Sequence, residues 1–398
     1  MMASLNLLVV LVLLALAVPA ALACTYLLLQ TLMSGALRPP PASARRLRFD
    51  IVVPAHNEAD GIAHTIANLR QLDWPVDRYR ILVVADNCTD ATAPVASAAG
   101  VLVVERHDPT LRGKGYALRF GFERSRADAW ADAIAIVDAD SEVTSNLLEA
   151  FAARIERGAH AIQARYGVLN PWGTWRTRLL TVAIGAVDTV RCRARERWRV
   201  SVGLRGNGWC ATRELLDRVS YNAFSLAEDL EYGIALGLAG YRVHYASEAE
   251  AAQDMTVGPE AARVQRRRWE LGRFVQIRSR TLPLLRAAVQ GRSVICLDLA
   301  LDLLLLPLTY WALCVGALLV AALLATWWHP GFMPWIWFSV ACLLILVAYV
   351  MRGWQLSGMG ARGLLDLLGA PAFMVWKLVL MLSRNQPKGW VRTERKRS

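Results

Sequence analysis

Hydrophobic positions fall along this chain in two regimes. They are nearly uninterrupted from about Leu5 to Leu32, from Leu297 to Trp328 and from Phe332 to Met351. Each run is long enough for the roughly 20 apolar residues that carry a helix across a bilayer. Between the first run and the second the pattern breaks into short apolar stretches. Phe49-Asp50-Ile51-Val52-Val53-Pro54, Arg80 to Ala85, Val101 to Val104 and Ala133 to Val137 read as buried strands. Ile62, Ile66 and Leu69 share one face of a helix, and further helices are expected over Thr89 to Ala99 and near Tyr116 to Ser125. Strands alternating with helices predict an α/β domain with a doubly wound parallel sheet. Ligands in such layers sit at the carboxyl ends of the strands.

Charge orients these segments. No basic residue precedes the first run, whereas Arg38, Arg45, Arg46 and Arg48 follow it closely. The turn His329-Pro330-Gly331 carries no Lys or Arg, and a basic tail covers Lys388 to Arg397. The positive-inside rule places the middle domain in the cytoplasm, under the inner (cytoplasmic) membrane. The first run lacks a basic n-region and continues past Ala21-Leu22-Ala23-Cys24, so it reads as an anchor and not as a cleaved signal. A fourth apolar stretch, Leu364 to Leu382, contains Asp366, Pro371 and Lys377 and reads as interfacial or re-entrant. The expected layout is an anchor over 1–37, a cytoplasmic domain over 45–290, a transmembrane hairpin over 293–353, and an interfacial segment with the basic tail over 354–398.

With 45 Lys and Arg against 33 Asp and Glu, the net charge of +12 suits anionic lipid or a phosphate-bearing substrate and requires no nucleic acid. Seven scattered cysteines without CxxC spacing argue against a disulfide framework or a structural zinc site.

The chemistry-bearing residues follow the strands. Pro54-Ala55-His56-Asn57-Glu58 comes after the first, Asp86-Asn87-Cys88-Thr89-Asp90 after the second, and Asp138-Ala139-Asp140 after the fourth. Carboxylates at strand ends suit a hard cation such as Mg²⁺ or Mn²⁺ that also takes substrate phosphates. The same acids could instead cap the helices that follow. Arg112-Gly113-Lys114-Gly115 opens a helix and suits an anionic group. Ser225-Leu226-Ala227-Glu228-Asp229 sets two acids before an apolar helix, as a general base or as charge matched to the helix dipole. Gln265-Arg266-Arg267-Arg268-Trp269 offers arginine for a pyrophosphate and tryptophan for a sugar ring, or a basic helix face for the membrane.

In this order, from Phe49 to Trp269, the motifs resemble the family 2 glycosyltransferases with a GT-A fold. The membrane-bound branch with the cellulose, chitin and hyaluronan synthases is the most similar, and Leu204 to Cys210 (LRGNGWC) followed by SLAEDLEYG resembles bacterial exopolysaccharide transferases. The resemblance implies a metal-dependent, inverting transfer from a nucleotide-sugar donor, UDP-linked, to a saccharide or lipid-linked acceptor. By position, Asp229 corresponds to the catalytic base, and Asp140 with Asp138 to the metal site. Pro54, His56, Glu58, Asp86, Lys114 and Asp138 correspond to the nucleotide-sugar pocket, with Asp86 at the base. Asn207 falls where that family lines its acceptor site, and Gln265, Arg268 and Trp269 match the motif that closes over the pyrophosphate. Two departures stand out: Ala85-Asp86-Asn87 replaces the frequent Asp-Asp-Gly, and Ala227 precedes Glu228 where Thr is common. Three spans are few for a translocation channel, which points to a short or lipid-linked acceptor, an export partner or a homo-oligomer. The rival reading is a membrane-tethered nucleotide-sugar-binding protein or nucleotidyltransferase that transfers no sugar.

Overall fold

The computed structural model describes residues 2–255 and 259–369. One eight-stranded sheet organises the domain, formed by β1 (Phe49–Ala55), β2 (Tyr79–Asp86), β3 (Leu102–Arg106), β4 (Ala133–Ile136), β5 (Ser141–Val143), β6 (Ala161–Val168), β7 (Trp209–Thr212) and β8 (Val243–Gln253). The spatial order is β3-β2-β1-β4-β7-β6-β8-β5. The four strands expected from the sequence form the parallel half. The other half departs from the expected parallel layer: β7 runs antiparallel to both β4 and β6, β6 and β8 are parallel, and β5 is antiparallel to β8.

The parallel strands are apolar on both faces because helices cover both. Phe49, Ile51 and Val53 of β1 face α2 (Ile62–Leu69), α3 (Thr92–Ala98) and α5 (Leu147–Ile155), while Val52 faces α4 (Lys114–Asp128). Ile62, Ile66 and Leu69 are buried as their spacing predicts.

Membrane-type helices flank the domain. They are α1 (Met2–Met33), α12 (Leu308–Trp328) and α13 (Met333–Ser357), and the spans Ser4–Met33, Leu308–Trp328 and Pro330–Ser357 are long and apolar enough to cross a bilayer. They pack together through Leu13, Ala17, Leu318 and Ala322 at one level and Ala20, Cys24, Leu27, Cys342 and Tyr349 at another.

The second apolar run is not one helix. α11 (Val294–Leu304) ends before Pro307, which has no N–H to continue a helical ladder, and α12 begins after it. α11 lies against α9 (Glu228–Leu238) and α10 (Pro259–Gln290), and its Asp298 and Asp302 face the domain. α6 (Trp175–Ile184), a π-helical turn (Gly185–Val190) and α7 (Arg191–Arg197) form a continuous rod between the sheet and α13. α8 (Arg213–Arg218) follows β7, and α14 (Gly360–Asp366) packs on α6. Of the fourth apolar stretch, 364–382, only residues through Gly369 are described; the rest lies outside the described residues, as does the basic tail.

Candidate active site

Strand register gathers the expected residues. Ala55 pairs with Ala85, so the chain leaves β1 and β2 side by side. His56 Nδ1 then lies 2.7 Å from the Asp86 carbonyl oxygen, Asn57 bonds Thr89, and the Glu58 N–H donates to Thr92 Oγ1 at 2.8 Å. Pro54 is the half-buried penultimate residue of β1. Asp86 is buried, and its carboxylate accepts from Arg106 Nη1 at 2.6 Å and from Asn87 Nδ2 at 3.1 Å. Arg106 ends β3 and extends its guanidinium over the Tyr116 ring. Asp86 is thus held in place by a partner that no sequence motif announced.

The fourth strand builds the acidic turn. Ile136 pairs with Trp209, which sets Asp138 opposite Asn207. The Asp138 N–H donates to Asn207 Oδ1 at 3.0 Å, and Asn207 Nδ2 donates to Ser141 Oγ at 2.9 Å. At 1% exposure, Asn207 is enclosed with its amide bonded at both ends. The side chain supports the acidic turn.

Lys114 is the first residue of α4 and ion-pairs with Asp138. Its Nζ donates to the Gly206 carbonyl at 2.6 Å and lies 3.9 Å from Glu228 Oε1. Burial works to lower its pKa, but Asp138 and Glu228 outweigh burial and raise it. α4 can approach this closely because Gly115 meets the Ala223 carbonyl, where no side chain would fit, while Tyr116 stacks on Phe224 at 4.4 Å.

From Phe224 the chain turns into α9, whose first residues are Glu228 and Asp229. A Cβ at Gly206 would sit 3.3 Å from Asp229 Oδ2, so Asp229 faces the same loop as Lys114. Burial raises the Asp229 pKa against the Leu230 N–H, Lys114 and Arg205, which lower it. Glu228 is pushed up to about 7 by burial and by Asp229, with Lys114 pulling it down. The C-terminal motif arrives on α10. A Cβ at Gly272 would lie 2.8 Å from Ala227 Cβ, and Gln276 Nε2 donates to Ser225 Oγ at 3.1 Å. Gln265, Arg268 and Trp269 precede Gly272 by seven, four and three residues, so they share the helix face turned to the Ala227–Asp229 corner. Gln265 is buried, Arg268 half-buried and Trp269 exposed.

The chain matches the pattern of glycosyl transferase family 2 over residues 50–211 and that of glycosyl transferase family group 2 over residues 133–382, more than half its length. The chain belongs to glycosyl transferase family 2. Among similar proteins, the probable glycosyltransferase YdaM of Bacillus subtilis is 26% identical over 237 residues, 56% of this chain and 55% of the relative. The beta-monoglucosyldiacylglycerol synthase of Synechocystis is 27% identical over 234 residues, 56% of this chain and 47% of the relative. The 4,4'-diaponeurosporenoate glycosyltransferase of Staphylococcus aureus is 30% identical over 152 residues, 35% and 40% of the two chains. The chain spans about half the length of these first two relatives. Among solved structures, the mannosyltransferase PcManGT of Pyrobaculum calidifontis, in complex with GDP-Man and Mn²⁺, superposes with a TM-score of 0.54 over 86% of this chain and 98% of that one at 18% identity. The shared fold is GT-A.

The acidic turn offers two carboxylates that a divalent cation could share with a phosphate-bearing ligand. Asp138 and Asp140 sit in one turn around the buried Ala139, and the Lys114 ammonium already occupies a cationic position on Asp138. No group of three or more His, Cys, Asp or Glu gathers there among the described residues. Two carboxylates leave the remaining coordination to phosphate and water oxygens, as Mg²⁺ prefers. Gln163, Arg205 and Arg106 belong to the site's framework but were not singled out from the sequence. Arg106 meets Asp86 through the pairing of β2 with β3, and Gln163 meets the Arg205–Gly208 loop through the pairing of β6 with β7.

Proposed function

We propose that this glycosyltransferase moves a sugar from a nucleoside-diphosphate donor, UDP-linked, to a saccharide or lipid-linked acceptor, with inversion at the anomeric carbon. The observation that carries the reading is the convergence of Lys114, Asp138 and Asp229 on the single loop at Gly206. Lys114 and the N-terminus of α4 hold the diphosphate, Asp86 receives the nucleotide base, and Arg268 and Trp269 cover the pyrophosphate and the sugar. Asp229 accepts the proton of the acceptor hydroxyl as its oxygen bonds to the anomeric carbon, whose bond to the diphosphate oxygen breaks. A divalent cation on Asp140 and Asp138 would neutralise charge on the departing nucleoside diphosphate.

The layout of anchor 1–37, cytoplasmic domain 45–290, hairpin 293–353 and interfacial segment 354–398 puts this site beneath the inner membrane. Two relatives are named for a monoglucosyldiacylglycerol product and for 4,4'-diaponeurosporenoate, which favours an acceptor that reaches the site from the bilayer. A role in exopolysaccharide or cell-envelope glycan synthesis follows. Membranes containing the enzyme, offered UDP- and GDP-sugars with lipid or oligosaccharide acceptors, should yield a glycosylated product by mass spectrometry. Asp229→Asn and Asp140→Ala should abolish it. Donor binding without product in the native enzyme would instead support the tethered binding protein.

A further inference from the structure

We infer that Gln163 is a positioning residue for sugar transfer: its side chain fixes the loop Arg205–Gly208, and through it Lys114, Asp138 and Asp229. This rests on the reading that those three groups act on a nucleotide-sugar.

Gln163 lies in β6 and is completely buried, so it touches no substrate. A buried amide is costly unless its polar atoms are paired, so where those pairs point is informative. Here they reach one short loop. Nε2 donates to the Asn207 carbonyl at 2.7 Å and to the Gly208 carbonyl at 3.2 Å, as well as to the Ala164 carbonyl at 2.9 Å. Oε1 accepts from the Arg205 N–H at 2.8 Å.

The sheet explains why a side chain performs this task. Gln163 opposite Trp209 is the last register pair between β6 and β7; the Gly208 main chain still bonds Ala164 and Ile136, and the residues before Gly208 leave the ladder. Gly206 and Gly208 have φ of +82° and +65°, a left-handed conformation that a strand cannot hold. Ahead of Gly208, the amide of Gln163 takes the place of main-chain pairing for the Arg205 N–H and the Asn207 carbonyl.

The loop in turn holds the functional groups. The Gly206 carbonyl takes a hydrogen bond from Lys114, Asn207 Oδ1 takes one from the Asp138 N–H, and Gly206 lies against Asp229. A further tie of the loop is the Arg205 side chain, whose Nε stands 3.5 Å from Asp188 of the π-helical turn. Removing the Gln163 amide leaves the Arg205 N–H and the Asn207 carbonyl without this partner, while the strands on either side keep their ladders.

The test uses the full-length enzyme in membranes or micelles, with the donor and acceptor that the native protein turns over. Gln163→Leu should lower kcat by about 100-fold, the scale expected when reacting groups shift by about 1 Å, with donor KM changed by less than about threefold. Gln163→Glu supplies both a donor and an acceptor only while its carboxyl is protonated. Its kcat relative to native should be restored at low pH and should fall as pH rises. That profile reads positioning even if Gln163→Leu fails to fold. Thermal melts accompany each variant. A kcat within twofold of native for Gln163→Leu, or losses in both variants that follow the folded fraction and ignore pH, would overturn the inference while native transfer upholds the functional reading. A native enzyme that transfers no sugar from any donor offered would overturn both.

Discussion

Arg195 of α7 is fully enclosed, and its Nε lies 2.7 Å from Oδ2 of Asp298 on α11. Its Nη1 is 3.1 Å from Asp302, which Arg191 also reaches at 3.2 Å, and Tyr26 of α1 donates to Asp298 at 2.8 Å. Burial would raise the Asp302 pKa, but Arg195 and Arg191 hold it well below the usual carboxylate range. Through Tyr26, the cluster joins the sheet domain to the apolar helix α1. Removing one partner of a buried ion pair strands the other charge, at a cost of about 3–5 kcal/mol. Arg195→Met should therefore lower the melting temperature strongly and reduce the folded protein recovered from membranes. Combining it with Asp298→Asn and Asp302→Asn should restore part of the loss. An unchanged melt in the single variant would show that the cluster does not hold the two parts together.

Lys114 should matter chiefly for the donor. Its ammonium is held between Asp138, Glu228 and the Gly206 carbonyl at the start of α4. Lys114→Met removes a preorganised cation from the diphosphate site, and kcat/KM for the donor should fall by about 10²–10³-fold. Titration with the free nucleoside diphosphate should show weakened binding in the same variant; unaltered affinity would remove Lys114 from the donor site.

Asp229 should show its role in pH dependence. Burial raises its pKa, and a base works only when deprotonated. The acid limb of kcat/KM should therefore lie above the ordinary carboxylate range, with activity lost as pH falls through it. Asp229→Asn should lower kcat by about 10²–10⁴-fold with donor KM little changed. An acid limb near an ordinary aspartate value would mean that another group takes the proton.

Glu228 carries a stability cost that pH can switch. Its pKa rises from 4.5 to about 7 on folding. The folded chain then binds a proton that the unfolded chain has released, so stability falls as pH climbs between those values. Glu228→Gln should raise the melting temperature at pH 8, by a stabilisation on the order of 1–3 kcal/mol, and change it little at pH 4. Equal effects at both pH values would contradict a buried charge that Lys114 compensates only in part.

Local signals made half the molecule legible. β1, β2 and β4 announce themselves because buried parallel strands are apolar throughout, and the acids that follow them mark the ligand edge. β8 did not, since its sequence VHYASEAEAAQ carries alanines and glutamates that suit a helix; pairing with β6 and β5 overrides that propensity. The apolar run from Leu297 hid α11, because Asp298 and Asp302 looked like isolated charges in a span, and their arginines lie about a hundred residues upstream. Asn207 shows the same limit at the site: its motif was visible, but its bonds to Asp138 and Ser141 depend on the pairing of β4 with β7.

The π-helical turn meets α13 without side chains between them. A Cβ at Gly185 would lie 2.5 Å from the Gly353 carbonyl oxygen, and one at Gly353 would lie 2.5 Å from Ala186 Cβ. Small residues allow such backbone contact between helices in or near a membrane. Tyr349 seals the junction by donating to the Ala186 carbonyl at 2.8 Å. The same turn carries Asp188, which accepts from the Tyr166 N–H and pairs with Arg205 of the catalytic loop. Gly353→Leu must push α13 away from the turn, and overpacking of this kind costs about 1–3 kcal/mol. Because the displaced turn holds Arg205, transfer should fall by more than the folded fraction does. Gly316→Leu, on α12 with open space around its Cα, is the matched control and should leave both quantities near native. If Gly353→Leu lowers activity only in step with folding, the crossing serves stability and the catalytic loop is insensitive to it.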